Sequence, residues 1–157
     1  MMKLSTRARY GVRAMCALAL MSKDGKPVAL AHISEREGIS KGYLALIFHK
    51  LRQSGLVEAE RGINGGFRLA KNPGDITVAS VIRALEGPIA PVDCLGPPGR
   101  SAASRCKRKQ HCLSRPAWLR LQLQIEQALD AITIASLVKM EDQDEYPDIA
   151  GGTQYAE

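Results

Sequence analysis

Long apolar runs are missing from this 157-residue chain. A membrane-crossing helix needs about twenty consecutive apolar residues, so the sequence argues against one. The stretch Ala14-Met15-Cys16-Ala17-Leu18-Ala19-Leu20-Met21 imitates a secretion signal. Arg13 interrupts it upstream, however, and no convincing small-x-small cleavage site follows, so it reads as a core helix of a cytoplasmic protein. Also missing are a C-x-x-C pair, a phosphate-binding glycine loop and a positioned acid–base pair. Little therefore supports an enzyme with a nucleophilic or redox cysteine. Aromatics are few, at 4% of the chain, yet the 45% apolar fraction is ordinary for a globular core, and the length suits one domain, or one domain with an appendage. No internal repeat is present.

What the chain does have is an uneven charge distribution. Residues 1–75 hold 13 Lys/Arg and 6 Asp/Glu, and residues 100–115 add six basic side chains and no acid. Residues 139–157 hold one Lys and six Asp/Glu. A basic body with an acidic, solvated end suits a polyanion partner, although charge alone also fits a merely basic protein.

The most informative stretch is Ile33 to Leu69. Ile33-Ser34-Glu35-Arg36-Glu37 ends a short helix, and Gly38 follows where a tight turn needs positive φ. Ile39 can plug that turn, and Ser40 is a good N-cap. Leu44, Ile47, Phe48 and Leu51 recur at helical spacing, which leaves Lys41, Gly42, Ala45, His49 and Arg52 on the opposite face. Ser54-Gly55 ends that helix. Leu56–Glu60 and Gly66–Leu69 can pair as a hairpin around Arg61-Gly62-Ile63-Asn64-Gly65, with Asn-Gly as the turn signal. Helix pairs with a glycine turn are common and most touch no DNA. The basic, glycine-rich wing directly after this one tips the reading toward DNA: a helix fits the major groove and a slim hairpin reaches the adjacent minor groove. Candidate contacts are Ser40, Lys41, Tyr43 and His49 near bases or phosphates, Arg52 and Arg7 on the backbone, and Arg61, Asn64 and Gly65 in the wing.

Upstream, Ser5-Thr6 caps a helix to about Ser22 that buries Tyr10, Ala14, Ala17, Leu18 and Met21 and carries Arg7, Arg9 and Arg13 near its start. These arginines suit phosphate contact or simple solvation equally. Val28-Ala29-Leu30 extends briefly before a helix from Ala31. Downstream, Thr77 caps a helix with Val78, Val81, Ile82 and Leu85 on one face, and Gly87 stops it. Ser114 caps a further helix with Pro116 in its first turn. Trp118, Leu121, Ile125, Leu129 and Ile132, widened by Leu119 and Leu123, make that helix apolar over a broad face. It must be buried, either against a second subunit or within its own chain. Thr133 begins a last short helix.

Three of the four cysteines crowd into Cys94-x11-Cys106-x5-Cys112, a loop broken by Gly96-Pro97-Pro98-Gly99. In a reducing compartment such a group suggests metal rather than disulfides. Three thiolates on a loop can hold an iron–sulfur cluster, and Arg105, Lys107, Arg108 and Lys109 would lower their pKa values and balance its charge. Zinc prefers tighter pairs than these. His111, Asp93, His32 or a residue from a partner subunit are candidates for a fourth ligand. A metal-free thiol sensor remains the other reading. Cys16 lies among apolar residues and reads as an inert core thiol.

Several segments together resemble the IscR/CymR/NsrR family of dimeric winged-helix transcription regulators. They are Met2-Lys3-Leu4-Ser5-Thr6-Arg7-Ala8-Arg9-Tyr10-Gly11, Ile33–Ser40 with Tyr43-Leu44, Leu51-Arg52 with Gly55-Leu56-Val57, Arg61-Gly62 with Gly65-Gly66-Phe67, and Val81-Ile82 with Leu85–Ile89. The resemblance implies a mainly α fold with a small β wing, a winged helix-turn-helix, and a homodimer joined by a long helix from Pro116 to about Ile132. It implies double-stranded promoter DNA as the partner, repression as the mode, and no membrane. It also implies an iron–sulfur cluster on Cys94, Cys106 and Cys112, either 2Fe–2S or 4Fe–4S. Arg115 stands where IscR-like members place a histidine ligand, and Arg9 where NsrR-like members place an aspartate. Gly87-Pro88-Ile89-Ala90-Pro91-Val92 resembles the CymR branch, whose members lack the cluster and respond through a cysteine-biosynthesis enzyme. The expected division is 1–88 for DNA binding, 89–114 for a sensor loop, 115–140 for the dimerisation helix region and 141–157 for an acidic, disordered tail.

Overall fold

The computed structural model describes residues 4–22, 25–96, 106 and 110–142. Pro97–Gly99, the cations Arg105 and Lys107–Lys109, and the acidic tail beyond Asp142 lie outside the described residues. The chain is mainly helical: α1 Thr6–Met21, α2 Leu30–Glu37, α3 Lys41–Gln53, β1 Val57–Glu60, β2 Gly66–Leu69, α4 Val78–Glu86, α5 Arg115–Asp130 and α6 Ile134–Asp142. Among the described residues, no helix is long and apolar enough to cross a membrane.

Aliphatic periodicity builds the core. Leu44, Ile47, Phe48 and Leu51 of α3 are buried at 1% exposure or less, as is Ile33 of α2. Ala14, Ala17 and Leu18 of α1 join them, together with Met15, which fills the centre of the bundle. Gly11 lets α1 approach α4: a Cβ there would stand 2.1 Å from Leu85 Cδ1. The expected caps form at Ser5, Ser40 and Thr77, whose hydroxyls accept from the backbone N–H groups of Ala8, Tyr43 and Ser80.

The wing is antiparallel, with Val57 opposite Leu69 and Glu60 opposite Gly66. Val28 pairs with Phe67 on the outer edge, N–H to carbonyl in both directions at 2.8 Å, so the extended Val28 segment acts as a third short strand. α2 therefore starts at Leu30 rather than Ala31. The hairpin loop lies where the sequence places it, between Glu60 and Gly66. It closes from the Gly65 N–H to the Gly62 carbonyl at 3.0 Å, and the positive φ is at Gly62 (119°). Asn64-Gly65 thus closes the loop, while the left-handed residue is Gly62. Glycine at 65 and 66 has a packing reason: a Cβ would come within 2.4 Å of the Glu60 carbonyl oxygen and of the Val28 backbone, respectively.

α6 folds back onto α1 and is stitched to the start of α4. The Val78 N–H donates to the Ile132 carbonyl and the Ile134 N–H to the Ile76 carbonyl, both at 2.9 Å, and Ile134 is fully buried. Arg36 on α2 pairs with Glu141, so the first acidic residue of the expected tail belongs to the folded body.

α5 starts at Arg115, one residue before Pro116. Its expected cap does not form: Ser114 has helical backbone angles and makes no capping bond. The Ser114 hydroxyl instead lies 3.3 Å from the Cys112 sulfur.

Candidate nucleic-acid interface

α2 and α3 form the helix-turn-helix. Gly38 is left-handed (φ 65°), and Ile39 beneath it is 3% exposed. The Ser34 hydroxyl donates to the Ile39 carbonyl at 2.7 Å and fixes the turn. Ser40 then opens α3, with the Tyr43 N–H donating to its hydroxyl at 3.3 Å. Lys41, His49 and Arg52 all lie exposed on α3, and the helix carries no acid. Tyr43 is half-buried and packs edge-on against Tyr10 of α1, centroids 5.9 Å apart, so its ring helps fix α3 against α1. Leu46 is exposed on the same helix, a position the periodicity reading passed over.

The wing root is tied to α3 by Phe67 against Phe48, with ring centroids 4.8 Å apart. A Glu58–Arg68 pair at 2.8 Å spans the two strands. Beyond it Arg61 and Asn64 are exposed, Gly65 is half-exposed, and Ile63 stands fully exposed at the tip. Arg7 is exposed near the start of α1, whereas Arg13 is engaged with the Glu37 carboxylate at 3.0 Å and the Glu37 carbonyl at 2.6 Å. The candidate surface thus comprises α3, the wing tip and the α1 start. Two long-range ties join α3 to α4 and α4 to α5. Lys50 donates to the Leu85 carbonyl at 2.9 Å, at the C-terminal end of α4. Arg83 of α4 forks onto Asp130 at 3.1 and 2.8 Å, with Thr77 donating to the same carboxylate at 3.1 Å. That fork and the Thr77 bond hold the Asp130 carboxyl below its usual range. The Lys50 and Asp130 contacts join residues more than thirty positions apart, beyond any local pattern.

Cys94 sits in a 3₁₀ turn, Asp93–Leu95. Cys94, Cys106 and Cys112 are all half-exposed free thiols. Hydrogen bonding to the Ser114 hydroxyl, aided by the Ser114 and Arg115 backbone and the Arg115 charge, lowers the Cys112 pKa. A soft set of three thiols, one biased toward thiolate, has the donor chemistry an iron–sulfur cluster requires. Among the described residues, no group of three His, Cys, Asp or Glu side chains is close enough to hold a metal ion. Cys16 behaves oppositely. Burial first, then Glu141 and Glu37, push its thiol up to about 11, which keeps it protonated and unreactive.

A family model described as Rrf2, iron-dependent transcriptional regulator, matches residues 4–140. The chain belongs to the Rrf2 family. The transcriptional regulator IscR of Yersinia enterocolitica is 41% identical over 141 residues, 90% of this chain and 82% of that protein. The solved structure of IscR from T. potens is 34% identical, covers 95% of each chain and superposes with a TM-score of 0.68. CymR of B. subtilis, its global cysteine regulator, is 33% identical with a TM-score of 0.68, over 88% of this chain and 98% of CymR. The expected winged-helix fold and family are borne out. This Rrf2 member is a DNA-binding transcriptional regulator of the IscR type, and its relatives are named as regulators rather than enzymes.

Proposed function

We propose that the chain is a cytoplasmic, homodimeric repressor whose promoter affinity is set by an iron–sulfur cluster on Cys94, Cys106 and Cys112. The observation that carries this is the state of the three thiols: free, half-exposed and, at Cys112, shifted toward thiolate. The iron-dependent description of the family supports the same reading. Bound there, a cluster would supply a redox- and iron-responsive state of the loop.

The chain's own residues provide a route from loop to DNA surface. Cys112 and Ser114 stand at the entrance to α5. The far end of α5 is held to α4 by Asp130 with Arg83 and Thr77, and α4 receives Lys50 of α3. A change in the set of α5 would bias α3, and the two α3 helices of a dimer would shift relative to a two-fold site. Homodimerisation is supported by α5 itself: none of its residues is buried, and Trp118, Leu119, Leu121 and Leu123 are 38–51% exposed. Lys41, Tyr43 and His49 would face bases or phosphates, Arg52 and Arg7 the backbone, and Ser40, Arg61, Asn64 and Gly65 would place helix and wing.

Likeness to CymR supports a second reading, a metal-free regulator of cysteine metabolism that senses through its thiols or a cysteine-biosynthesis enzyme. Absorption spectra with iron and sulfide analysis on protein purified without oxygen separate the two. The cluster reading expects visible charge-transfer bands that are lost in Cys94→Ser and Cys112→Ser. Protein that stays colourless after reconstitution overturns it and leaves the metal-free regulator.

A further inference from the structure

The outward face of α3 carries a feature that cationic contacts with phosphate leave unused. Leu46 is 66% exposed. Helical spacing puts it at the middle of that face, one turn after Gly42 and about one turn before His49. Exposed Ala45 lies beside it. Gly42 adds an independent observation. Glycine weakens a helix relative to alanine, yet a Cβ at Gly42 would meet nothing within 4 Å, and its φ is not in the left-handed region. Nothing among the described residues calls for a missing side chain there; a surface approaching from outside would. Gly42, Ala45 and Leu46 thus form a shallow apolar centre, bordered by Lys41, His49 and Arg52 and free of acid.

A duplex major groove matches this arrangement. Its phosphate walls suit the cations, and the apolar group on its floor is the thymine C5-methyl. We infer that Leu46 reads thymine methyl groups, with Gly42 and Ala45 allowing the helix to approach the groove floor. This rests on the reading of α3 as the recognition helix, and it makes Leu46 a determinant of which base is preferred.

The test begins with selection of binding duplexes from a randomised library by the wild-type protein. The recovered duplex is then remade with deoxyuridine replacing each half-site thymidine in turn, which removes only the methyl. Thymine is expected at one or more selected half-site positions. Losing one buried methyl should weaken binding roughly fourfold per half-site and about fifteenfold in both. Leu46→Ala should bind the thymine duplex as weakly as wild type binds the uracil duplex, and should no longer distinguish the two. Gly42→Ala should be more stable to denaturation than wild type yet bind the duplex more weakly. Equal wild-type affinity for thymine and uracil duplexes, or full discrimination retained by Leu46→Ala, overturns the inference alone. Recovery of no duplex overturns the α3 reading and this inference with it.

Discussion

α3 and α5 are helices of similar length with similarly apolar stripes, yet the chain treats them differently. On α3 the stripe of Leu44, Ile47, Phe48 and Leu51 is sealed at 1% exposure or less. Of the apolar side chains on α5, Ile125 and Leu129 reach partial cover, and Trp118, Leu119, Leu121 and Leu123 stay open. Amphipathic pattern announces that a face must be covered; it does not say by what. The α3 face is satisfied by α1, α2, α4 and the wing, while the α5 face stays open and, in the proposed homodimer, is covered by a second copy.

Substitutions break or sharpen this contrast. Phe48→Ala should have the largest effect on stability, because it opens a cavity where α3 meets Phe67 of the wing. A loss of about 3–5 kcal/mol in chemical denaturation is expected, and a loss under about 1 kcal/mol would show the junction to be loosely packed. Gly66→Ala should cost about 1–3 kcal/mol, since its Cβ meets the Val28 backbone. Amide exchange should quicken at Val28 and Phe67 while α5 is unaffected.

Arg83→Gln tests the α4–α5 tie. The folded-state pKa of Asp130 is depressed, so its stabilising contribution is present above the ordinary carboxylate range and is lost as pH falls through the depressed value. Wild type should exceed the variant at neutral pH by less than about 1 kcal/mol, because both partners are solvent-exposed. The gap should close in acid, and a gap that widens in acid would contradict the assignment. Leu123→Asp should change the folding of the protomer least, by under about 0.5 kcal/mol. Sedimentation should nevertheless show the dimer lost. A variant that stays dimeric would remove α5 from the interface.

The helix-turn-helix was legible because its signals are local. Gly38, the Ser40 cap and the buried quartet of α3 each depend on residues within one or two turns, as does the Thr77 cap of α4. The wing strands and the loop between them were legible for the same reason. The left-handed residue within the loop was not: it is Gly62, while Gly65 and Gly66 are required by their close approach to Glu60 and Val28. Ser114 carries the local signature of a cap, but its hydroxyl faces Cys112 instead. Lys50 on the Leu85 carbonyl and Arg83 on Asp130 join distant elements, so no local pattern marks them. Leu46 had a usable signal, its angle on the helix opposite the buried quartet.

The central claim, that the state of the cysteine loop sets DNA affinity, is tested most directly by one ratio: the Kd of metal-free protein over that of iron- and sulfide-loaded protein. Both are measured on the same selected duplex at the same salt concentration, without oxygen. The account predicts a difference of about fivefold or more, abolished when Cys94, Cys106 and Cys112 are replaced by serine. Equal affinities from protein shown to carry its full complement of iron and sulfide would contradict it.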